Sequence, residues 1–201
     1  VRLLKYFSNE KPDVVVMECM AVQPQYQWIS EHQMVKSDIG VITNARPDHL
    51  DEMGPTEEDV VKSLCNSIPV GGVLVTAEQK HKNILKKVTY DNNSDFILSD
   101  ENSLSNEYID NFSYIEHPQN IAIALDVCEK LGVDRDIAIG GMHQVQPDLG
   151  ALIVWKLIGQ KGSLQFVNGM AANDPVSTLQ IWKFVIDRYP TKSATAVFFN
   201  S

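Results

Sequence analysis

Short continuous apolar runs alternate with longer segments of mixed polarity along the chain. The runs at residues 14–17, 39–42, 73–75 and 95–98 are rich in valine, isoleucine and leucine. Apolar runs of this length are typical of strands that are buried on both faces of a sheet. We therefore predict four short buried strands in the first half of the chain.

The segments between these runs predict helices with recognisable ends. Residues 1–7 read as a helix that Pro12 breaks, and Thr56 precedes three acidic residues, as at a helix N-terminus. Residues 79–87 predict a basic surface helix. His117-Pro118 begins a helix that ends near Leu131, before Gly132. A further helix is predicted over 134–142, closed by its two glycines, while 23–35 is irregular or helical and 100–111 is a polar loop or a small hairpin.

Strands that alternate with helices at this spacing predict an α/β fold with parallel sheets built of βαβ units. Residues 145–150 read as a linker, and we place a domain boundary between residues 146 and 147. Beyond it we predict strands at 151–157, 164–168 and 194–199. Between the last two, Asp174-Pro175 begins a helix with an apolar stripe. The stripe consists of Leu179, Trp182, Phe184, Val185 and Ile186.

Composition narrows the classes of protein. The 201 residues are 44% hydrophobic and 21% charged, which indicates a globular chain with a real core. The net charge of -9 argues against a general nucleic-acid surface, which requires clustered cations. No apolar run approaches the ~18 residues of a membrane span. Cys19, Cys65 and Cys128 lack paired spacing, so we expect small buried side chains in a reducing compartment.

Polar side chains follow two of the predicted strands. Glu18 comes directly after the first, and Asn44, Asp48, His49 and Asp51 follow the second. In parallel α/β sheets this edge binds ligands, and oxygen donors with a histidine suit a hard divalent cation such as Mg²⁺. The alternative is that the aspartates form turns around Pro47. A zinc hydrolase is disfavoured because the histidines show no paired spacing.

A phosphate-binding loop of the form GxxxxGK[ST] does not occur in these 201 residues. Residues 159–163 contain two glycines, a lysine and a serine, but at the wrong spacing, and we predict a β-turn there.

The segment from Asn44 to Asp51 resembles the N-x-x-x-D-H-x-D motif of the Mur ligase family, the ATP-dependent amide ligases. Glu18 resembles that family's metal-binding glutamate, and His117 to Asn120 begins a helix similar to its H-x-x-N helix. Residues 168–175 are similar in position to a third-domain motif.

The resemblance implies ATP and Mg²⁺ as cofactors and a role for each matching residue. Glu18 and His49 would bind the metal, and Asp48 and His49 would be catalytic. Asn44, Asn120 and His117 would lie at the nucleotide, and Asp51 would orient the loop. Lys62 lies close to the position of a catalytic lysine of the family, although an ordinary surface lysine is the alternative.

Residues 18–22, 28–32 and 46–59 are similar to family members that form poly-γ-glutamate capsules. This resemblance implies a central parallel-sheet ATPase domain at 1–146 and the start of a Rossmann-like C-terminal α/β domain at 147–201. It also implies an enzyme that elongates poly-γ-glutamate through an acyl phosphate. The implied partners are glutamate, the poly-γ-glutamate acceptor and small membrane subunits, which would hold a cytoplasmic protein at the inner face of the membrane.

In this family the phosphate loop lies upstream of the metal-binding glutamate, so we expect the 201 residues to be an inactive part of a longer enzyme. Two other interpretations remain open. One is a metal-dependent hydrolase that uses the strand-end residues alone, and the other is a catalytically silent α/β assembly subunit.

Overall fold

The computed structural model describes residues 2–147, 150–160, 162–170 and 175–190, with 175 and 176 described by their backbone alone. These residues form two compact units. The first contains residues up to 111 together with 117–144, and the second contains 112–116 and the described residues from 145 onward. The predicted boundary between residues 146 and 147 stays a prediction.

The first unit alternates strands and helices. Its strands are β1 (Ile39–Ile42), β2 (Val73–Thr76) and β3 (Asp95–Leu98). Its helices are α1 (Arg2–Glu10), α2 (Pro24–Ile29), α3 (Leu50–Met53), α4 (Glu57–Leu64), α5 (Lys82–Asp91), α6 (Asn106–Asp110), α7 (Pro118–Lys130) and α8 (Arg135–Gln144). A π-helical turn, Ser30–Val35, continues α2, which confirms the helical alternative for this segment.

The three strands form a parallel sheet in the order β1-β2-β3. Ile39 pairs with Val73, and Val73 pairs with Asp95, so all three strands share one register. Parallel neighbours require long crossover connections, and here helices supply them. The α/β fold class and three of the four strands predicted in the first half of the chain are confirmed.

Both faces of this sheet are covered by helices. Ile42 and Leu74 pack with Val61 of α4 and Leu85 of α5 on one face. Val75 packs with Ile123 of α7 on the other. Because neighbouring residues of a strand point to opposite faces, most positions of each strand are apolar, as the continuous runs predict. The result is a three-layer α/β/α arrangement.

The predicted strand at residues 14–17 is wrong for this structure. The segment is irregular, and Val16 is 93% exposed. An apolar run becomes a strand only where a neighbouring strand accepts its backbone hydrogen bonds, and within the described residues none pairs with it. Cys19 is exposed for the same reason, against the prediction for the cysteines. Cys65 is buried, and its burial raises the pKa of the thiol to about 11.

Local signals located most helix starts. The side chain of Thr56 accepts a hydrogen bond from Asp59 N, and the Asp59 carboxylate accepts one in return from Thr56 N, which forms a capping box. The α7 start at Pro118 is confirmed as well. Helix α5 begins at Lys82 instead of residue 79. The residues between β2 and α5 contact Ala45 and Glu57 instead of continuing the helix.

Two other segments differ from their predictions. Residues 100–111 contain a 3₁₀ turn, Glu101–Ser103, and α6, whose N-terminus Ser105 caps through Tyr108 N, so no hairpin forms there. Helix α8 continues through Gly140 and Gly141 to Gln144. Glycine inside a helix costs about 1 kcal/mol relative to alanine but does not by itself end the helix.

The second unit contains β4 (Ile153–Gly159), β5 (Gly162–Asn168) and α9 (Pro175–Arg188). The two strands were predicted, but they pair antiparallel, because the connection between Gly159 and Gly162 is too short for a parallel crossover. Gly159 pairs with Gly162 at the end of this hairpin, which confirms the predicted turn. Trp155 and Phe166 are cross-strand partners, and their rings stack with centroids 5.5 Å apart.

The apolar stripe predicted for α9 is largely exposed: Leu179, Trp182, Phe184 and Ile186 are open to solvent. A two-stranded hairpin is narrow, and within the described residues nothing covers that side of the helix. The predicted cap at Asp174 and the predicted strand at 194–199 lie outside the described residues. Among the helices that the structure describes, none has the length and apolar character needed to cross a membrane.

Candidate active site

The loop at residues 43–49 leaves the carboxyl end of β1 and carries three of the predicted site residues, Asn44, Asp48 and His49. Asn44 is half-buried, and Ala45 beside it is 1% exposed. Asp48 and His49 are exposed farther along the loop. The loop is therefore anchored at its start and open to solvent at the histidine.

Asp48 and His49 are held together by local hydrogen bonding. His49 N donates to Asp48 Oδ1 at 2.9 Å, and His49 Nε2 lies 3.7 Å from Asp48 Oδ2. His49 has a left-handed backbone, with φ 47° and ψ 44°, and its carbonyl accepts hydrogen bonds from the first turn of α3. The aspartate thus fixes the conformation in which the imidazole faces solvent.

Glu18 and Asn44 meet at a shared cavity of about 390 Å³. Two backbone segments, 16–19 and 41–44, form its walls together with Leu64 and Ser67. The lining includes apolar side chains together with four polar residues, Glu18, Thr43, Asn44 and Ser67, which carry oxygen or nitrogen atoms. The prediction that the glutamate and the loop approach each other is consistent with this geometry.

Asp48, His49, Asn120, His117 and Lys62 do not line that cavity. His117 and Asn120 lie at the first turn of α7, where both are exposed. Across the ranges that the structure describes, no three His, Cys, Asp or Glu side chains converge as a ready-made metal site. The structure therefore brings together part of the predicted set and leaves His49 outside the cavity.

Lys62 is a surface residue of α4. Its Nζ lies 2.8 Å from Glu58 Oε1 across one helical turn, and both side chains are more than half exposed. The hydrogen bond with Glu58 raises the pKa of Lys62. A raised pKa keeps the amine charged and disfavours reaction through its neutral form, as expected for an ordinary helix lysine.

Glu78 is a residue of this region that the sequence pattern did not single out. It lies two positions beyond the end of β2, is 8% exposed, and accepts a hydrogen bond from Ala45 N at 2.9 Å. A carboxylate just past a strand end is the same signal that marked Glu18, so it could have been found by applying that rule to β2.

The oxygen donors at the cavity fit Mg²⁺. This ion keeps several waters and binds proteins through one or two carboxylates together with substrate phosphates. Glu18 supplies such a carboxylate, and Asn44 supplies an amide at the same cavity. The donor set is too small for a closed, all-protein metal site, but it suits an ion that is shared with a phosphorylated substrate.

The three-layer sheet with polar groups at its carboxyl edge is typical of α/β proteins that bind ligands beyond their strand ends. The chain belongs to the Mur ligase family, since residues 2–155 match the Mur ligase middle domain. Residues 154–201 match the poly-gamma-glutamate synthase CapB C-terminal domain.

Two curated relatives are similar over most of the chain. The capsule biosynthesis protein CapB of Bacillus anthracis is 39% identical over 99% of this chain and 43% of its own length. The PGA synthase CapB of Bacillus subtilis is 39% identical over 89% of this chain and 46% of its own length. The chain thus spans less than half the length of these relatives.

A solved structure of a point mutant of L. casei FPGS has a similar fold. It superposes with a TM-score of 0.66 over 92% of this chain and 50% of its own, at 14% identity. This likeness concerns the fold alone, and it agrees with the parallel α/β architecture of the first unit.

Proposed function

We propose that the chain is part of an ATP-dependent amide ligase that elongates poly-γ-glutamate. The observation that carries this proposal is the 39% identity, over almost the whole chain, to proteins named for capsule biosynthesis and PGA synthesis. The cavity shared by Glu18 and Asn44 supports it, because these residues lie where a nucleotide-dependent α/β enzyme needs oxygen donors.

The proposed reaction has two steps. The terminal carboxylate of the poly-γ-glutamate acceptor attacks the γ-phosphorus of ATP, which forms an acyl phosphate and releases ADP. The amine of an incoming glutamate then attacks the acyl carbon, the C–O bond to phosphate breaks, and the products are an amide, phosphate and a proton. The cleavage of ATP thus drives the formation of the amide bond.

Each site residue has a proposed role in this chemistry. Glu18 would bind Mg²⁺, with His49 as a further ligand or as a proton carrier, and Asp48 holds His49 in its conformation. Bound Mg²⁺ neutralises charge on the phosphoryl group during transfer. Asn44, Asn120 and His117 would lie at the nucleotide, with Asn120 near its base. We propose no catalytic role for Lys62.

We further propose that the phosphate-binding segment belongs to another part of the longer polypeptide. The four apolar residues at 14–17 are exposed, and β1 is an edge strand with β2 as its sheet neighbour in the described chain. An unpaired edge beside an exposed apolar run favours the addition of a strand. The carboxyl end of a parallel strand added beside β1 would lie near Glu18 and Asn44.

The partners of the whole enzyme follow from the same proposal. Glutamate and a poly-γ-glutamate acceptor are the substrates, and small membrane subunits of a capsule synthase hold the enzyme at the cytoplasmic face of the membrane. The names of the two relatives support a role in capsule or polymer formation.

The variant His49→Ala in the longer polypeptide tests this proposal. We expect glutamate-dependent ATP turnover to fall by about a hundredfold or more, since a metal ligand or proton carrier is removed. The control is His32→Ala, which removes a histidine that stacks on Trp28 with ring centroids 5.2 Å apart, outside the loop. The control variant is expected to retain activity.

Other outcomes would point to the alternatives. Equal turnover by both variants would contradict the assignment of His49. Hydrolysis of a substrate by the 201-residue chain without ATP would identify a metal-dependent hydrolase. Partner binding without any nucleotide binding by the longer polypeptide would identify an assembly subunit.

A further inference from the structure

Glu78 is a buried carboxylate with two backbone donors. Ala45 N donates to its Oε2 at 2.9 Å, and His81 N donates to its Oε1 at 3.0 Å. A carboxylate with little solvent contact requires such donors, because burial without them is strongly unfavourable. Each oxygen of Glu78 therefore has a defined partner.

The hydrogen bond between Glu78 and Ala45 connects the segments that follow β2 and β1. Glu78 follows β2, whereas Ala45 follows β1 and comes directly after Asn44, which lines the cavity with Glu18. Ala45 is buried, so its N–H depends on this acceptor in place of water. Glu78 thus fixes the backbone at the point where the site loop begins.

The same short segment, residues 78–81, also contacts Glu57, which lies beyond the loop and α3. Lys80 Nζ lies 2.5 Å from Glu57 Oε2, and His81 Nε2 lies 3.1 Å from Glu57 Oε1. Glu57 is the first residue of α4. Residues 78–81 therefore hold both the start and the end of the segment 45–57, and Asp48 and His49 lie between these two anchors.

We infer that Glu78 is a positioning residue for the loop that carries Asn44, Asp48 and His49. Glu78 acts through the backbone of Ala45 and does not touch the substrate. The inference about catalysis rests on the proposed function, whereas the inference about loop order rests on the hydrogen bonds alone. The two parts can therefore be tested separately.

The substitution Glu78→Gln is the sharpest test of this role. Glutamine keeps the size of the side chain but has one acceptor oxygen and one NH₂ donor. The NH₂ group would face one of the two backbone N–H groups, so the hydrogen bond to Ala45 or to His81 must be lost. The bond that remains is also weaker, because its acceptor no longer carries a charge. Glu78→Asp retains both oxygens but withdraws them by one methylene, and it serves as a milder variant if Glu78→Gln does not fold.

Glu31 offers a matched control. It is also 8% exposed, and its two oxygens accept hydrogen bonds of 2.9 Å from Ser37 N and Ser37 Oγ. Ser37 precedes the amino end of β1, at the opposite edge of the sheet from the site loop. Glu31→Gln removes the charge of a similarly buried carboxylate whose two hydrogen bonds both go to Ser37, at the other end of β1 from the site loop.

The first measurement is amide hydrogen exchange of the 201-residue chain. In Glu78→Gln we expect exchange at residues 44–49 to accelerate roughly tenfold to a hundredfold, the effect of losing a hydrogen bond to a charged group. Glu31→Gln should leave exchange there unchanged, and Glu78→Asp should fall between wild type and Glu78→Gln. If exchange at residues 44–49 of Glu78→Gln is as slow as in wild type, the inference is overturned. If only Glu78→Asp folds, the same result in that variant overturns it.

The second measurement is glutamate-dependent ATP turnover by the longer polypeptide. We expect kcat of Glu78→Gln to fall at least about tenfold below that of Glu31→Gln at matched thermal stability. Equal kcat in the two variants would overturn the catalytic part of the inference. A wild-type enzyme without any turnover would instead contradict the proposed function, while the exchange result would still stand.

Discussion

His49 has a conformation that its side chain disfavours. Its φ of 47° lies in the left-handed region, where a β-carbon crowds the backbone at a cost of about 1 kcal/mol. Asp48 compensates by accepting the His49 N–H. A histidine in such a disfavoured conformation fits a role in which the imidazole itself is required.

Replacing His49 by glycine separates this role from folding. Glycine adopts the left-handed conformation freely, so we expect His49→Gly to change the free energy of unfolding by less than about 1 kcal/mol. Ligase activity of the longer polypeptide should nevertheless be lost. Urea unfolding and ATP turnover measure the two effects, and a stable variant with full activity would show that the imidazole is dispensable.

At the scale of elements, α4 depends on charges at its N-terminus. The pKa of Glu57 is lowered mainly by a hydrogen bond from Lys80 and, to a smaller extent, by one from His81. A hydrogen bond from Thr56 lowers the pKa of Asp59. Both carboxylates are therefore bound more favourably in the folded state when they are ionised. Their contribution is complete above the unfolded pKa values, near 4.5 and 3.8, and is lost as the pH falls through the lower folded values.

This linkage predicts an acid-sensitive first turn of α4. Between pH 5 and pH 3, roughly the range below the ordinary carboxyl pKa values, Tm should fall less in the double variant Glu57→Gln/Asp59→Asn than in wild type. The double variant should also be the less stable one at pH 7. Parallel Tm curves for the two proteins over this range would contradict the assignment.

The sequence pattern predicted elements well where short-range signals decide them. The apolar runs of β1 to β3 and the cap at Thr56 were recognisable because strand burial and helix capping leave local signatures. Residues 14–17 have the same signature but form no strand here, because pairing depends on a neighbour that composition cannot reveal. The βαβ pattern predicts parallel strands, but the short connection between β4 and β5 permits only antiparallel pairing.

The candidate site was predictable in part for similar reasons. Glu18 and Asn44 follow apolar runs, so the strand-end rule located them, and they line one cavity. The strand-end rule also applies to Glu78, but its role depends on a hydrogen bond to Ala45, 33 residues away along the chain, which no local pattern reveals. The family motif supplied roles for His49 and Asn120 that neither spacing nor the present geometry assigns.

At the scale of the whole molecule, the chain covers 43% and 46% of the lengths of its two CapB relatives. Within the described part of the chain, β1 is an edge strand of the first unit and an exposed apolar run lies beside the cavity, while the exposed face of α9 belongs to the second unit. These features fit the proposal that the chain is part of a longer ligase. We propose that the longer polypeptide activates the acceptor carboxylate as an acyl phosphate.

That claim is tested most directly by following oxygen atoms through the reaction. The longer polypeptide is given ATP, Mg²⁺, glutamate and a poly-γ-glutamate acceptor whose terminal carboxylate carries a heavy oxygen isotope. An acyl phosphate intermediate requires one labelled oxygen to appear in the phosphate released with each amide bond formed. Label in AMP, or amide formation with unlabelled phosphate, would contradict the account.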